Sequence, residues 1–331
     1  MDLARLDEIL ESFSGKKIIV IGDMMLDHYL WGDVDRVSPE APVPVVDVTR
    51  EEHRLGGAAN VVFNLKALNA IPLPIGITGD DLYADHIFSI LEKLGIDNRL
   101  ILRDKNRPTT RKSRIIAHHQ QVVRIDYESR NDINKELVDQ IINGFNDQVP
   151  TIDGVIIEDY NKGLLTPLII EEILRIAAAH GKPVAVDPKF KNFFHYKNAT
   201  IFKPNFAELQ KNTGLPIESE EDFDYAARVL RHKLNPEYLV ITRGEKGLVV
   251  FTRQGDRIDI PTFAQQVYDV SGAGDTVIST LMLGICSGTD IGQAALVANH
   301  SAGAVCGKIG IQPAYAEDIR RSFKRFNRVQ D

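Results

Sequence analysis

Asp269-Val-Ser-Gly-Ala-Gly-Asp-Thr276 sets two glycines and an acid directly before a helical run, Val277 to Ile285. The first N–H groups of a helix have no partners inside it, and Gly272 and Gly274 keep side chains out of their way. Such a start is a ready site for an anion. Asp275, beside it, is placed to take a proton from a hydroxyl that attacks a phosphate. An isolated Gly-x-Gly loop is usually no more than a turn before an acidic helix start. Here an anion site, a base and a second acid, Asp269, arrive within eight residues, which favours chemistry.

Outward from this stretch, short apolar runs alternate with amphipathic ones. After an N-terminal helix over Leu3–Phe13, the runs Ile18–Gly22, Gly154–Ile157, Pro183–Val186 and Tyr238–Ile241 read as buried strands, continuous in Val and Ile. Helical patterns cover Ala58–Leu68, Asp81–Leu94, Thr166–Ala179 and Glu220–Leu234. The alternation predicts an α/β fold with a mainly parallel central sheet and helices on both faces. Ligands on such sheets bind beyond the carboxyl ends of the strands. Asp23, Glu158-Asp159, Asp187, Asn205 and Thr242-Arg243-Gly244 stand at those ends. Two segments break the pattern. One is Asp33–Arg50, with Ser38-Pro-Glu-Ala-Pro-Val-Pro44 followed by a β-like Val45–Val48. The other is Arg111–Tyr127, two strands around His118-His119-Gln120-Gln121. They predict a small β lid, from about 33–50 and 104–127, on a single domain over 1–331.

Bulk properties set limits. The 331 residues allow an ample core, and 44% hydrophobic with 26% charged residues is ordinary for a soluble enzyme. A net charge of −7 argues against general nucleic-acid binding, which calls for a basic face. Cys286 and Cys306 have no zinc spacing and read as reduced core residues. Met1–Lys17 is amphipathic and acidic, unlike a signal peptide, and no apolar run approaches the ~20 residues that span a bilayer. The expectation is a cytoplasmic protein that binds neither membrane nor nucleic acid. There is no Gly-x-x-x-x-Gly-Lys-Ser/Thr loop and no His-Arg-Asp loop, so neither P-loop nor protein-kinase chemistry applies.

The octapeptide resembles the signature of the ribokinase-type sugar kinases, the PfkB family. The resemblance implies a ribokinase-like fold, ATP with Mg2+, and Asp275 as the base beside an anion hole of Gly272, Ala273 and Gly274 amides. It also implies a monovalent cation, K+ in many members, near Asp269. Asn205-Phe206-Ala207-Glu208 reads on its own as a helix cap. The resemblance sets it by the nucleotide phosphates, with Asn205 and Glu208 reaching Mg2+ mostly through water, and both readings can hold. Thr242, Gly244 and Gly247 lie in a turn that the family uses against those phosphates, and Asn299 becomes a neighbour of the adenine. Gly56, Gly57 and Asn60 match the family's sugar-binding Gly-Gly-x-x-x-Asn pattern, and Asp27 its sugar-binding acid. In several members the lid forms a dimer contact, so a homodimer is expected here.

Finer matches narrow the substrate. The runs Arg36–Val45, Gly56–Asn60, Asp159–Gly163, Val186–Lys189 and Gly307–Gly310 look like those of members that phosphorylate C1 of D-glycero-β-D-manno-heptose 7-phosphate. In many bacteria that kinase is fused to an adenylyltransferase with a His-x-Gly-His motif. No such motif occurs here, so the expectation is a stand-alone kinase. A 7-phosphate needs cations at the far end from C1, and Arg36, Lys112, Arg114, Lys162 and Lys189 are candidates, with Asp159 beside them. Asp187 could orient Lys189 or bind a sugar hydroxyl. Ser271 in place of Thr, Phe190 in place of Gly, and the His118-His119 turn depart from those members. The rival readings are a kinase for another sugar or sugar phosphate, and a sugar-binding regulator without activity.

Overall fold

The computed structural model describes residues 1–118, 120–264, 267–308 and 310–330. His119 of the expected turn and Ile309 of the 307–310 run lie outside the described residues.

The Val- and Ile-rich runs form strands. In chain order these are β1 (Lys17–Val37), β2 (Pro44–Gly57), β3 (Ile71–Gly79), β4 (Ile101–Asp104), β5 (Thr110–Ala117) and β6 (Gln120–Tyr127). Then come β7 (Gly154–Glu158), β8 (Val184–Asp187), β9 (Ile201–Phe202), β10 (Tyr238–Thr242), β11 (Leu248–Thr252) and β12 (Arg257–Ile260). The helices are α1 (Leu3–Ser12), α2 (Ala58–Ala67), α3 (Leu82–Lys93), α4 (Lys135–Gln148) and α5 (Pro167–Ala179). They continue with α6 (Phe206–Thr213), α7 (Glu220–Leu234), α8 (Ala273–Cys286), α9 (Ile291–Cys306) and α10 (Ala316–Gln330).

The central sheet runs β12-β11-β10-β9-β8-β7-β1-β3-β4. Every pairing from β4 to β10 is parallel, and β11 and β12 are added antiparallel at one edge. Successive side chains point to opposite faces of a strand, and both faces here are covered. Ile18 and Val20 of β1 join the core beneath α1, α2, α8 and α9. Ile19 and Ile21 join the core beneath α4, α5 and α7. This is why the run is continuous in apolar residues. Truncating one of these isoleucines to Ala would cost about 2–5 kcal/mol.

The lid differs in its limits from the expectation. β1 does not end at Gly22 but continues for 21 residues. Its last partner in β3 is met at Asp23, and from Met24 onward it pairs with β2 antiparallel and, from Met25, with β5 parallel. With β6 antiparallel to β5, a four-stranded layer β2-β1-β5-β6 rises from the carboxyl edge of the main sheet. Gly56 and Gly57 close β2, opposite Met25 and Met24, instead of lying in a loop. Residues 101–104 belong to the central sheet, so the second lid segment begins at Thr110. Among the described residues no helix is long and apolar enough to cross a membrane.

Candidate active site

The start of α8 meets the carboxyl ends of β7 and β8 and the start of α2. Gly272, the residue capping α8, has φ 79°, a left-handed conformation that favours glycine, and no side chain caps the helix. A Cβ on Gly272 would lie 2.8 Å from Asn60 Nδ2, so the loop passes as close as glycine permits. The Ala273 N–H donates to the Val270 carbonyl at 3.2 Å. Gly274 stands over a charged pair, its Cβ position 3.4 Å from Lys203 Nζ and 3.5 Å from Asp187 Oδ2.

Asp275 is 4% exposed. Asn60 Nδ2 donates to its Oδ2 at 2.6 Å, and the Tyr160 hydroxyl donates to its Oδ1 at 3.1 Å. Behind them Asn64 Nδ2 donates to the Asn60 carbonyl at 2.9 Å, and Thr276 Oγ1 donates to Asn64 Oδ1 at 2.9 Å. The carboxylate is thus fixed in orientation by two helices and one strand end. Burial pushes its pKa up, opposed by the Asn60 hydrogen bond, raised further by Asp187 and lowered by Lys203 and Tyr160. A carboxylate held this way, with lone pairs still free, can accept a proton from a hydroxyl.

Next to it lies a buried run of alternating charge. Lys203 Nζ is 2.7 Å from Asp187 Oδ2, while Lys189 Nζ lies 3.6 Å from Asp187 Oδ1 and 3.0 Å from Glu208 Oε1. Burial works against the Asp187 carboxylate, but the two lysines outweigh it and hold its pKa below the ordinary value. Glu158 is different. It is fully buried, and both of its carboxyl oxygens lack a hydrogen-bond partner. Burial, then Asp187 and Asp275, push its pKa well up. Oxygens of Glu158, Asp187 and Asp275 lie within 4.8 Å of one another.

Asn205 caps α6 and forms a full capping box: its Oδ1 accepts from the Glu208 N–H at 2.8 Å, and Glu208 Oε2 accepts from the Asn205 N–H at 2.9 Å. Phe206 and Ala207 form the first turn behind it. A parallel bridge joins Asn205 to Thr242, bringing the β10–β11 turn with Gly244 and Gly247 alongside. A Cβ on Gly247 would lie 2.1 Å from the Ile260 carbonyl, and Asn299 on α9 donates to the carbonyl of Pro261. A cavity of about 450 Å³ lies one turn further along α9, lined by Phe263, Tyr268, Gly303, Lys308, Ser322 and Arg325. A cavity of about 690 Å³ around Leu174, Phe194 and Lys233 contains none of these residues.

On the lid side Asp27, buried in β1, is paired with Arg114 of β5. A Cβ on Gly56 would sit 2.0 Å from Asp27 Oδ2, so only glycine leaves that carboxylate in place. Gly57 takes φ 55° at the entry to α2. Lys112 stands opposite Asp27 in β5, over the Tyr160 ring at 4.8 Å, and makes no ion pair with a described carboxylate. Burial pushes its ammonium below the ordinary value. Lys162 is paired with Glu128, and its backbone N–H donates to Asp23 Oδ2 at 3.0 Å. Asp23 is pushed up to about 6 by burial and by Asp159, against three backbone N–H groups. Asp159 turns inward, accepting from the Asn161 N–H and the Tyr196 hydroxyl. Asp269 accepts from the Ser271 N–H at 2.8 Å, close enough to Arg114 to act on its charge. Arg36 stands apart, at the exposed far end of the lid, 3.5 Å from Asp47.

Asn60, Asp187, Lys189, Asn205, Glu208 and Asp275 are therefore brought into one contiguous site, with Asp27, Lys112 and Arg114 above it. Sequence reasoning assigned no role to Tyr160, Lys203 or Glu158. Tyr160 lies inside the 159–163 run and Glu158 at a predicted strand end, while Lys203 directly follows a strand and precedes Pro204-Asn205.

The family described as "pfkB family carbohydrate kinase" matches residues 15–318. The bifunctional protein HldE of Wolinella succinogenes is 44% identical over 311 residues, which cover 94% of this chain and 65% of that protein. HldE of Geotalea uraniireducens is 43% identical over 294 residues, 89% of this chain and 60% of that protein. The chain spans less than two thirds of the length of these relatives. Among solved structures, Arabidopsis thaliana ribokinase complexed with ribose and ATP superposes with TM-score 0.74 at 19% identity, covering 94% of this chain and 99% of that one. Escherichia coli phosphofructokinase-2 in complex with potassium gives 0.77 at 15% identity, with 95% and 99% covered. The fold is ribokinase-like. The chain belongs to the pfkB family of carbohydrate kinases. It is a carbohydrate kinase, a phosphotransferase with an alcohol group as acceptor.

Proposed function

We propose that this kinase transfers the γ-phosphoryl group of ATP to the C1 hydroxyl of D-glycero-β-D-manno-heptose 7-phosphate. The observation that carries the reaction is Asp275, buried and held through both oxygens at the uncapped start of α8. Asp275 accepts the proton of the sugar hydroxyl as that oxygen attacks the phosphorus. Asn60 and Tyr160 hold the base in line, while the Gly272–Gly274 loop and Lys203 offset the charge on the transferred group. Positioning and fixed charge supply most of the acceleration in phosphoryl transfer, with a base adding about 10²–10⁴-fold.

Oxygen ligands suit Mg2+, which neutralises phosphate charge when bound. Glu208 already binds the Asn205 N–H and Lys189, so its contact with such an ion fits best through water, and Asn205 stands beside it. Asp269 is the candidate for contact with K+. Asn299, Thr242, Gly244 and Gly247 line the path from the phosphates toward the adenine.

The substrate reading rests on the sequence runs set out above and on the relatives named HldE. Among the five basic candidates, Lys112 is the best reader of the 7-phosphate. Arg114, Lys162 and Lys189 are already paired with Asp27, Glu128 and Glu208, and Arg36 is remote, whereas Lys112 is partly desolvated and makes no ion pair with a described carboxylate. Coupled ADP release against a panel of sugars and sugar 7-phosphates tests the assignment. The heptose 7-phosphate should give the highest kcat/KM, and Lys112→Ala should raise its KM by roughly 10–150-fold, the worth of one charged hydrogen bond, with little change in KM for ATP. A higher kcat/KM for another sugar would replace the substrate and leave the reaction standing.

The lid also supports a homodimer. Val122, Val123, Ile125 and Tyr127 of β6 are exposed, and β6 is an edge strand with unpaired backbone groups.

A further inference from the structure

We propose that His28, Glu51 and His53 form a binding site for a divalent transition ion of the zinc class on the outer face of the lid. His28 of β1 and His53 of β2 are register partners, and their rings stack with centroids 4.6 Å apart and planes 13° apart. Glu51, two residues before His53, is on the same face of β2. Its Oε1 lies 2.7 Å from His28 Nε2 and 3.6 Å from His53 Nε2. One ligand atom from each of the three residues lies within 4.8 Å of the others. Two imidazoles and a carboxylate, with a fourth position left for water, suit zinc and its first-row neighbours rather than magnesium.

Two further features point to an ion. His53 Nε2 is buried without a hydrogen-bond partner, an orphan that a metal bond would satisfy. His28 Nδ1 lies 3.0 Å from Ser113 Oγ on the neighbouring strand β5. Without an ion Nε2–H donates to Glu51; an ion would displace that proton, and Ser113 Oγ would then accept from Nδ1–H, the outer contact usual for metal-bound histidine. His86 of α3 stacks on the other side of the His53 ring at 4.3 Å and steadies it. The nearby Arg111 guanidinium is held over the rings of Tyr83 and Tyr127. The Glu51 side chain is 54% exposed, which leaves a route in from solvent.

The site faces away from the sugar. Asp27 and Tyr29, which flank His28 in β1, point to the opposite face, where both meet Arg114. A bound ion would pin β1 to β2 directly behind Asp27.

The test uses the full chain, stripped of metal and titrated with Zn2+ against a chromophoric chelator, with Co2+ as a spectroscopic probe. One equivalent should bind, Co2+ should show the strong visible absorption of a four-coordinate site, and Zn2+ should raise the melting temperature. His53→Ala should abolish all three, and Ser113→Ala should weaken binding by about 10–100-fold. His28→Gln risks misfolding because His28 is buried, so Glu51→Gln, at an exposed position, serves as the third variant and should lower affinity at least about tenfold. No uptake by the wild type, or uptake unchanged in His53→Ala and Glu51→Gln, would overturn the proposal.

Discussion

Asp275 is held by hydrogen bonds from Asn60 and Tyr160, and its substitution separates chemistry from binding. Asp275→Asn keeps the size of the group and removes its basicity. Its kcat should fall by roughly 10²–10⁴-fold while ATP affinity, measured by calorimetry, changes little. Equal turnover would take Asp275 out of the mechanism. Glu158 gives a prediction about pH. Its folded pKa is raised well above 4.5, so the stability it contributes is full below about 4.5 and is lost as pH rises toward the folded pKa. Glu158→Gln removes that loss. The melting temperature of the variant should gain on the wild type between pH 5 and pH 8, and parallel curves would show that Glu158 does not hold its proton. Asp275, Asn60 and Asn205 were legible in the sequence because each lies in a short run with its own local logic. Tyr160, Lys203 and Glu158 were not. Their meaning lies in partners more than 25 residues away in sequence or on other strands, such as the Tyr160–Asp275 contact across 115 residues.

At the scale of elements, the parallel sheet and its covering helices were legible because both faces of each strand are buried, which leaves unbroken Val and Ile runs. The lid was read only in part. Past Met24 the strand β1 gains polar residues, Asp27, His28 and Asp33, and its apolar run gives way to a mixed one that looks like a loop. Gly56 was legible as glycine and not as strand, since its requirement comes from Asp27 on the neighbouring chain segment. Gly56→Ala tests that requirement. The added methyl cannot share space with the Asp27 carboxylate, so Asp27 must move and its pairing with Arg114 must loosen. KM for the sugar should rise at least about tenfold while KM for ATP stays within about twofold, as expected for the loss of one charged hydrogen bond. A full retention of sugar affinity would show that Asp27 does not touch the sugar.

At the scale of the whole molecule, the lid exposes a group of large apolar side chains, at Val37, Val43 and Val48 as well as along β6. Isolated small sheets with an open, apolar edge are prone to pair. Light scattering at micromolar concentration should give about twice the 37.0 kDa chain mass. Val122→Asp or Ile115→Asp should yield monomers with weaker sugar binding. A fully active wild-type monomer would remove the dimer and leave the kinase unaffected.

The 21-residue β1 has a mechanical side. A cover attached by loops swings like a door about a pin. This one is carried by an uninterrupted strand whose first residues are clamped between β3 and β7, so it behaves as a leaf spring rooted in the core. Opening must then be a bend or twist of β1 beyond Asp23, with the register shifts at Trp31/Gly32 and Asp33/Arg36 as its local irregularities. Its stiffness will depend on the packing of Ile18 to Ile21, far from any ligand. Load placed on the cover by a closing sugar will reach that root directly.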